Sequence, residues 1–175
     1  NDPLPWIARE LELIREAADR RLPVLGHCLG GQLMSKALGG EITASAHKEI
    51  GWHPVRKLPG AAADDWLAGM PDNANLFHWH GETFSLPAGA EPLLESDWCR
   101  NQAFALDNIL ALQCHVEVTA PMVREWASLY AHELETPSAS VQSAAQMTTG
   151  LEARVSELQQ AADALYRRWL QPLVG

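Results

Sequence analysis

The feature that most constrains the fold of this chain is a glycine-rich segment with a cysteine at its centre, Gly26–Gln32. A short apolar run, Leu22–Leu25, precedes it, and a helical pattern follows over Leu29–Leu38. Strand, tight turn and helix in this order are typical of a nucleophile elbow. Glycines flanking the apex predict close packing of strand and helix, and a helix N-terminus stabilises the reactive thiolate form of cysteine. The sequence therefore predicts that Cys28 is a nucleophile, with a small buried cysteine in a turn as the alternative.

Composition excludes several classes of protein. The chain has 175 residues, of which 47% are hydrophobic, as in a globular domain with a substantial core. No apolar run approaches the roughly 20 residues of a membrane span, and no signal-peptide pattern opens the chain. The net charge of −9 without a Lys/Arg cluster argues against nucleic acid or an anionic membrane as a partner. Three irregularly spaced cysteines do not form a disulfide framework, so we expect a cytoplasmic protein.

The order of elements around the cysteine predicts the fold class. A helix beginning at Pro5 has one apolar face, formed by Ile7, Leu11, Ile14 and Ala18. This helix leads into the apolar strand, and a second helix follows directly. Such an order predicts a doubly wound, three-layer α/β fold with parallel strands.

The middle of the chain is predicted to form short strands. These are Glu41–Ser45, Ile50–Lys57, Asn75–His80, Glu91–Ser96, Gln102–Leu106 and Ile109–Cys114. Asp107 and Asn108 form a turn candidate, so the last two strands are expected to make a hairpin. We expect a short helix over Ala61–Met70 and a loop over Gly81–Gly89.

The C-terminal part is predicted to be helical. Thr119 is the expected N-cap of one helix, and Gly150 is expected to separate two later helices. Apolar residues recur there at spacings of three and four: Leu151, Val155, Leu158, Ala162, Leu165 and Trp169. Pro172 is expected to end the regular structure. We thus divide the chain into an α/β domain, residues 1–134, and a helical extension packed on it, residues 135–175.

A second group of polar residues follows the last apolar strand. His115 and Glu117 lie two positions apart, so on a strand they point to the same face. A histidine beside a carboxylate is the partner that a cysteine nucleophile needs, because the imidazole takes up the thiol proton and the carboxylate orients the imidazole. The sequence therefore predicts a catalytic triad of Cys28, His115 and Glu117.

The two motifs together resemble the class I glutamine amidotransferases. They are Gly26-x-Cys28-x-Gly30-x-Gln32 and Gln113-x-His115-x-Glu117. The connecting motifs Lys48–Val55 and His80–Pro87 are similar to those of the stand-alone branch, which includes the amidotransferase domain of GMP synthase. The resemblance covers Leu22–Thr119 and implies a flavodoxin-like sheet, to which the C-terminal helices are added.

The resemblance also implies roles for individual residues. Cys28 would attack the side-chain amide of L-glutamine, giving a glutamyl thioester and ammonia for an acceptor synthetase. The backbone N–H of Leu29 would be one oxyanion donor. Substrate-binding positions implied by the family pattern are Gln32, Trp79, Gly81 and Glu82.

The sequence departs from the family pattern in a few places. Val116 replaces the usual proline between the histidine and the glutamate, and Glu82 replaces a more common aspartate. Neither change removes a reacting group. Family members also have a first strand and a glycine-rich loop that supplies a second oxyanion donor, and Asn1–Trp6 resembles the segment that follows this loop.

Other kinds of site receive less support from the sequence. No C-x₂-C or H-E-x-x-H spacing occurs, and neither a Walker A pattern nor G-x-G-x-x-G is present, so we expect no metal and no cofactor. Two other functions remain open. One is a γ-glutamyl hydrolase or peptidase acting on other γ-glutamyl amides, and the other is a catalytically idle binding or regulatory module.

Overall fold

The computed structural model describes residues 4–174, so the first three residues of the Asn1–Trp6 segment lie outside it. Its helices are α1 (Pro5–Asp19), α2 (Leu29–Ala37), α3 (Ala61–Trp66), α4 (Ala120–Leu129), α5 (Ala144–Thr148) and α6 (Leu151–Val174), with a 3₁₀ turn at Ala131–Leu134. Its strands are β1 (Val24–His27), β2 (Ile42–Lys57), β3 (Asn73–Phe84), β4 (Glu91–Glu95), β5 (Ala103–Leu106) and β6 (Ile109–Leu112). Among these residues, no helix combines the length and apolar character required to cross a membrane.

The strands form one six-stranded sheet in the order β1-β6-β5-β4-β2-β3. The α/β class is confirmed, but the sheet is mixed: β1 pairs with β6 in parallel, and the other neighbours pair antiparallel. Parallel pairing needs a long crossover connection, usually a helix. The chain from β2 to β6 contains only the six-residue helix α3, so its strands pair antiparallel. The expected hairpin between β5 and β6 is present, with Asp107 at φ 50° in its turn.

Two predictions for the middle of the chain are wrong. The two strands expected at Glu41–Ser45 and Ile50–Lys57 are one continuous strand, β2, with a register shift between Ala44 and Glu49. The loop predicted to begin at Gly81 starts only after Phe84. Both errors have one cause. The first residues of β2, Ile42–Ala44, pair with the last residues of β3, Glu82–Phe84, so the backbone N–H and C=O groups of both segments are satisfied in one long antiparallel ladder.

The sheet separates two apolar clusters, which gives the fold its three layers. Alternate residues of β6 belong to different clusters: Ile109 and Ala111 face α1 and α2, whereas Leu110 and Leu112 face the larger cluster. The larger cluster takes in the predicted stripe of α6, with Leu165 fully buried and Trp169 partly buried against it.

The C-terminal helices follow the prediction closely at their beginnings. The Thr119 hydroxyl caps α4 by accepting from the backbone N–H of Met122, and Gly150 joins α5 to α6 at φ 64°. The predicted stop at Pro172 is wrong, because α6 continues through it to Val174. The proline lies in the last turn, so the helical hydrogen bond that it cannot donate, to the carbonyl four residues earlier, is lost only near the end of the helix.

The glycines near the cysteine do not all serve the same purpose. A Cβ on Gly26 would lie 2.5 Å from the carbonyl carbon of Gly30, and one on Gly31 would lie 2.5 Å from the carbonyl oxygen of Leu112. A Cβ on Gly30 would meet nothing within 4 Å. Close packing of α2 therefore depends on Gly26 and Gly31.

This difference predicts the stability of two neighbouring variants. Gly31→Ala should lower the free energy of unfolding by about 1–3 kcal/mol, because the backbone of β6 has to move. Gly30→Ala is the matched control and should be neutral or stabilising by up to about 1 kcal/mol, since alanine favours the helix. Urea unfolding of both variants measures the difference. Equal destabilisation of the two would contradict this account of the packing.

Candidate active site

Cys28 occupies a strained turn between β1 and α2. Its backbone has φ 48° and ψ −106°, a conformation that costs a non-glycine residue about 1–3 kcal/mol. Two hydrogen bonds hold it there: its N–H donates to the carbonyl of Leu112 at 2.8 Å, and its carbonyl accepts from the N–H of Gln32 at 2.9 Å. The predicted elbow is therefore present, anchored to the adjacent strand β6.

The sulfur of Cys28 lies between β3 and the end of β6. The Sγ atom is 3.7 Å from the carbonyl oxygen of Trp79 and 3.7 Å from the amide Nε2 of Gln113. Gln113 is fully buried, and its Oε1 accepts from Gln32 Nε2 at 3.3 Å. In the sequence, Gln113 stands out only as part of a motif. Its position at the end of an apolar strand could have indicated this role, because a buried polar side chain needs a hydrogen-bond partner.

His115 and Glu117 meet as expected, but they do not lie on a strand. β6 ends at Leu112, and beyond it the N–H of His115 donates to the carbonyl of Phe77 at 2.8 Å, an isolated bridge. The imidazole Nδ1 lies 2.6 Å from Glu117 Oε1. The local backbone, rather than strand alternation, brings the two side chains together.

The contacts of His115 favour its charged form. Burial by itself lowers an imidazole pKa, but interactions with Cys28 and Glu117 outweigh burial and raise the pKa of His115 to about 9. Burial, the largest single influence on Glu117, raises the pKa of its carboxyl group, but the hydrogen bond from His115 together with electrostatic interactions with His115 and His27 outweighs burial and lowers this pKa. Cysteine, imidazole and carboxylate thus form one electrostatically coupled group.

A further layer of residues surrounds Glu117. His27 Nε2 lies 3.8 Å from Glu117 Oε2, and the hydroxyl of Tyr166, on α6, lies 3.2 Å from the same nitrogen of His27. Burial lowers the pKa of His27, which favours the neutral ring. The last helix, predicted as an extension, therefore contacts His27, which in turn faces the carboxylate of Glu117.

The other predicted site residues lie on α2, directly after Cys28, and on β3. Leu29 is the first residue of α2 and is half exposed, whereas Gln32 is buried and donates to the backbone carbonyl of Glu82 at 3.3 Å. A small cavity of about 40 Å³ is lined by these three residues together with Ile7, Leu33, Lys36 and Ile42. Gly81 lies on β3 against the side chain of Lys48.

A buried polar cluster, which sequence analysis missed, lies between β2 and β3. Glu49 Oε2 is 3.2 Å from His80 Nε2 and 3.8 Å from His78 Nδ1. These residue types suit a divalent metal ion. However, Gln102 Nε2 donates to the same oxygen at 2.6 Å. Burial alone would raise the pKa of Glu49, but contacts with His80, His78 and Ser96 lower it to about 2. Gln102, His78 and His80 thus face Oε2 of this buried carboxylate, while its Oε1 has no hydrogen-bond partner among the described residues.

His78 and His80 are two positions apart and share a strand face, but Glu49 lies about 30 residues before them in the sequence and meets them only through strand register, in which it pairs with His80. His80 Nδ1 also lies 3.1 Å from the carbonyl of Glu82, the group that Gln32 binds. The buried carboxylate thus supports the part of β3 that faces the cysteine.

Comparison with known proteins places the chain in a family. The family model "Glutamine amidotransferase class-I" matches residues 2–123. A putative glutamine amidotransferase-like protein, YfeJ, of Salmonella typhimurium is 34% identical over 115 residues, covering 65% of this chain and 48% of the relative. A glutamine-hydrolysing GMP synthase of Leifsonia xyli is 37% identical over 102 residues, covering 55% of this chain and 20% of the synthase. The chain thus spans less than half the length of either relative.

Solved structures match over almost the whole chain. A glutamine amido transferase from Methylobacillus flagellatus is 46% identical with a TM-score of 0.94, covering 98% of this chain and 71% of that one. A glutamine amidotransferase from Thermotoga maritima is 30% identical with a TM-score of 0.85, covering 95% of this chain and 70% of that one. Together with the strained cysteine, these matches establish the family: the chain belongs to the class I glutamine amidotransferases.

Proposed function

We propose that this protein hydrolyses the side-chain amide of L-glutamine through a triad of Cys28, His115 and Glu117. The observation that carries the proposal is the coupling of a strained elbow cysteine to an imidazole that is itself paired with a carboxylate at 2.6 Å. In this proposal the strained backbone conformation of Cys28 is functional, because it directs the sulfur away from the backbone of β1 and α2.

The chemistry follows from these positions. The sulfur of Cys28 attacks the amide carbonyl carbon, and the oxygen becomes an oxyanion, which the N–H of Leu29 stabilises. His115 then donates a proton to the amide nitrogen, the C–N bond breaks, and ammonia leaves a glutamyl thioester. His115 next takes a proton from water, whose oxygen attacks the thioester carbon; the C–S bond breaks, which releases glutamate and regenerates Cys28. Glu117 holds the imidazole and stabilises its charged form.

Substrate recognition is proposed on the side of the cysteine where Gln32 lies. There Trp79, Gly81 and Glu82 present the backbone of β3 toward the elbow, and Gln32 fixes the Glu82 carbonyl. The glutamate part of the substrate carries both an ammonium and a carboxylate group, so backbone donors and acceptors suit it. Ammonia would pass to an acceptor synthetase, as the name of the GMP synthase relatives suggests for those proteins.

A glutamine-analogue electrophile should label Cys28. Mass spectrometry of the digested protein identifies the modified residue, with Cys99 and Cys114 as internal controls because burial raises the pKa of both thiols. Cys28→Ala should abolish both the label and the formation of glutamate. Labelling of another residue, or glutamate formation by Cys28→Ala, would refute the proposed nucleophile.

The charged state of His115 predicts how stability depends on pH. Its pKa is raised from 6.5 to about 9, so its stabilising contribution is complete below pH 6.5 and disappears as the pH rises through about 9. Relative to His115→Gln, the wild-type protein should lose about 2–3 kcal/mol of unfolding free energy over this interval. Urea unfolding at several pH values tests this, and parallel curves for the two proteins would show that the imidazole carries no such charge.

Tyr166 is proposed to position the triad through His27. Tyr166→Phe removes only the hydroxyl and should lower kcat about 2–10-fold, the value of one hydrogen bond, with KM little changed. The exposed residue Gln159 lies on the same helix, and Gln159→Ala is the control that should alter neither constant. Steady-state kinetics with glutamine measure both. An unchanged kcat in Tyr166→Phe, or a loss equal to that of the control, would remove Tyr166 from this role.

A further inference from the structure

A cavity lined mainly by aromatic residues lies beside His115 and Trp79. Its volume is about 270 Å³, and its walls are Trp79, His115, Trp126, Tyr130 and Glu133. We call it the aromatic cavity. Of its lining residues, only His115 belongs to the proposed triad, and only Trp79 belongs to the residues proposed to hold the glutamate part of the substrate.

Trp79 connects the aromatic cavity to the sulfur of Cys28. Its backbone carbonyl lies 3.7 Å from Cys28 Sγ, while its indole ring lines the aromatic cavity. His115 also has two sides, because it interacts with Cys28 and its ring contacts Trp126 edge-on at 5.0 Å between centroids. The aromatic cavity therefore begins directly behind the two residues that border the sulfur.

The contacts within the cavity indicate the chemistry of its occupant. The ring of Trp79 lies 6.1 Å from that of Trp126, nearly perpendicular to it, and 5.7 Å from that of Tyr130. Such rings accept another aromatic ring edge-on or offset. Glu133 contributes no unmatched charge, because its carboxylate binds Lys48 Nζ at 2.9 Å and Trp79 Nε1 at 3.3 Å. An uncharged aromatic group fits this lining better than a cation.

We propose that the aromatic cavity binds the leaving group of γ-glutamyl amides whose amide nitrogen carries an uncharged aromatic substituent. This rests on the proposed function, in which His115 donates a proton to the departing nitrogen. A substituent on that nitrogen lies beside His115, where the cavity opens. Ammonia requires no such space, and an apolar cavity of about 150 Å³ already accommodates benzene, so about 270 Å³ accommodates a benzyl group.

The chemical step differs from glutamine hydrolysis only in the group that leaves. Cys28 forms the thioester bond to the γ-carbonyl carbon, His115 protonates the nitrogen, and the C–N bond breaks to release an aromatic amine in place of ammonia. Water then cleaves the thioester to give glutamate. The overall reaction consumes one water and needs no oxidant, reductant or cofactor.

The test compares γ-glutamyl benzylamide with glutamine in the wild-type protein. Benzylamine and ammonia have similar basicity, so a difference between these substrates reports binding of the ring rather than intrinsic reactivity. The expected kcat/KM for the benzylamide exceeds that for glutamine by about tenfold or more, the usual effect of filling an apolar site. γ-Glutamyl methylamide, which has the same bond without the ring, should be no better than glutamine.

Tyr130→Ala tests the site itself, because Tyr130 lines the aromatic cavity, its ring contacts that of Trp79, and it is not a member of the proposed triad. This variant should lower the ratio of benzylamide to glutamine kcat/KM about 5–10-fold. Leu129→Ala is the matched control: Leu129 is the neighbouring residue, is 63% exposed and lies outside the cavity lining, so the ratio should stay at the wild-type value.

Two results separate this inference from the proposed function. If glutamine is hydrolysed and the benzylamide is no better, or if Tyr130→Ala leaves the ratio unchanged, the leaving-group site is refuted while the triad stands. If neither substrate yields glutamate and the electrophile does not label Cys28, the proposed function fails and this inference fails with it.

Discussion

The contact between the elbow and β6 is the constraint on which the rest of the site depends. Cys28 keeps its unusual backbone conformation because its N–H is bound by the carbonyl of Leu112, and α2 can approach that carbonyl only because residue 31 is a glycine. The same strand leads three residues later to His115. One short parallel pair of strands, β1 and β6, therefore sets the distance between the sulfur and the imidazole.

The layers outside this pair have distinct roles in supporting it. On one side, Glu49 and His80 fix the backbone of β3 near the cysteine through a buried, donor-rich carboxylate. On the other side, α6 carries Tyr166 to His27 and so to Glu117. Burying charged and polar groups costs stability unless each finds a partner. A concentration of such partnered groups near the cysteine is what an enzyme site requires.

The sequence was sufficient for features that depend on local chemistry. The elbow, the hairpin at Asp107, the Thr119 cap and the apolar stripe of α6 all follow from residue types at short spacing. It failed where pairing over distance decides the outcome: β2 is a single strand because β3 lies beside its whole length, and Glu49 meets His80 only through that register. The contact of Gln113 with Cys28 and that of Tyr166 with His27 could not be predicted for the same reason, because each joins residues far apart in the sequence. His115 and Glu117 were expected to meet because alternate residues of a strand share a face. They meet instead because of the backbone conformation beyond the end of β6.

The most direct test of the central claim is to quench a reaction with glutamine in acid and search for the thioester by mass spectrometry. The account predicts a glutamyl adduct on the peptide that contains Cys28 during turnover, absent from Cys28→Ser and from protein without glutamine. Acid preserves a thioester, so an intermediate that accumulates is detected. Release of glutamate by the wild-type protein with the adduct on another residue, or at an undiminished rate by Cys28→Ser, would contradict the account.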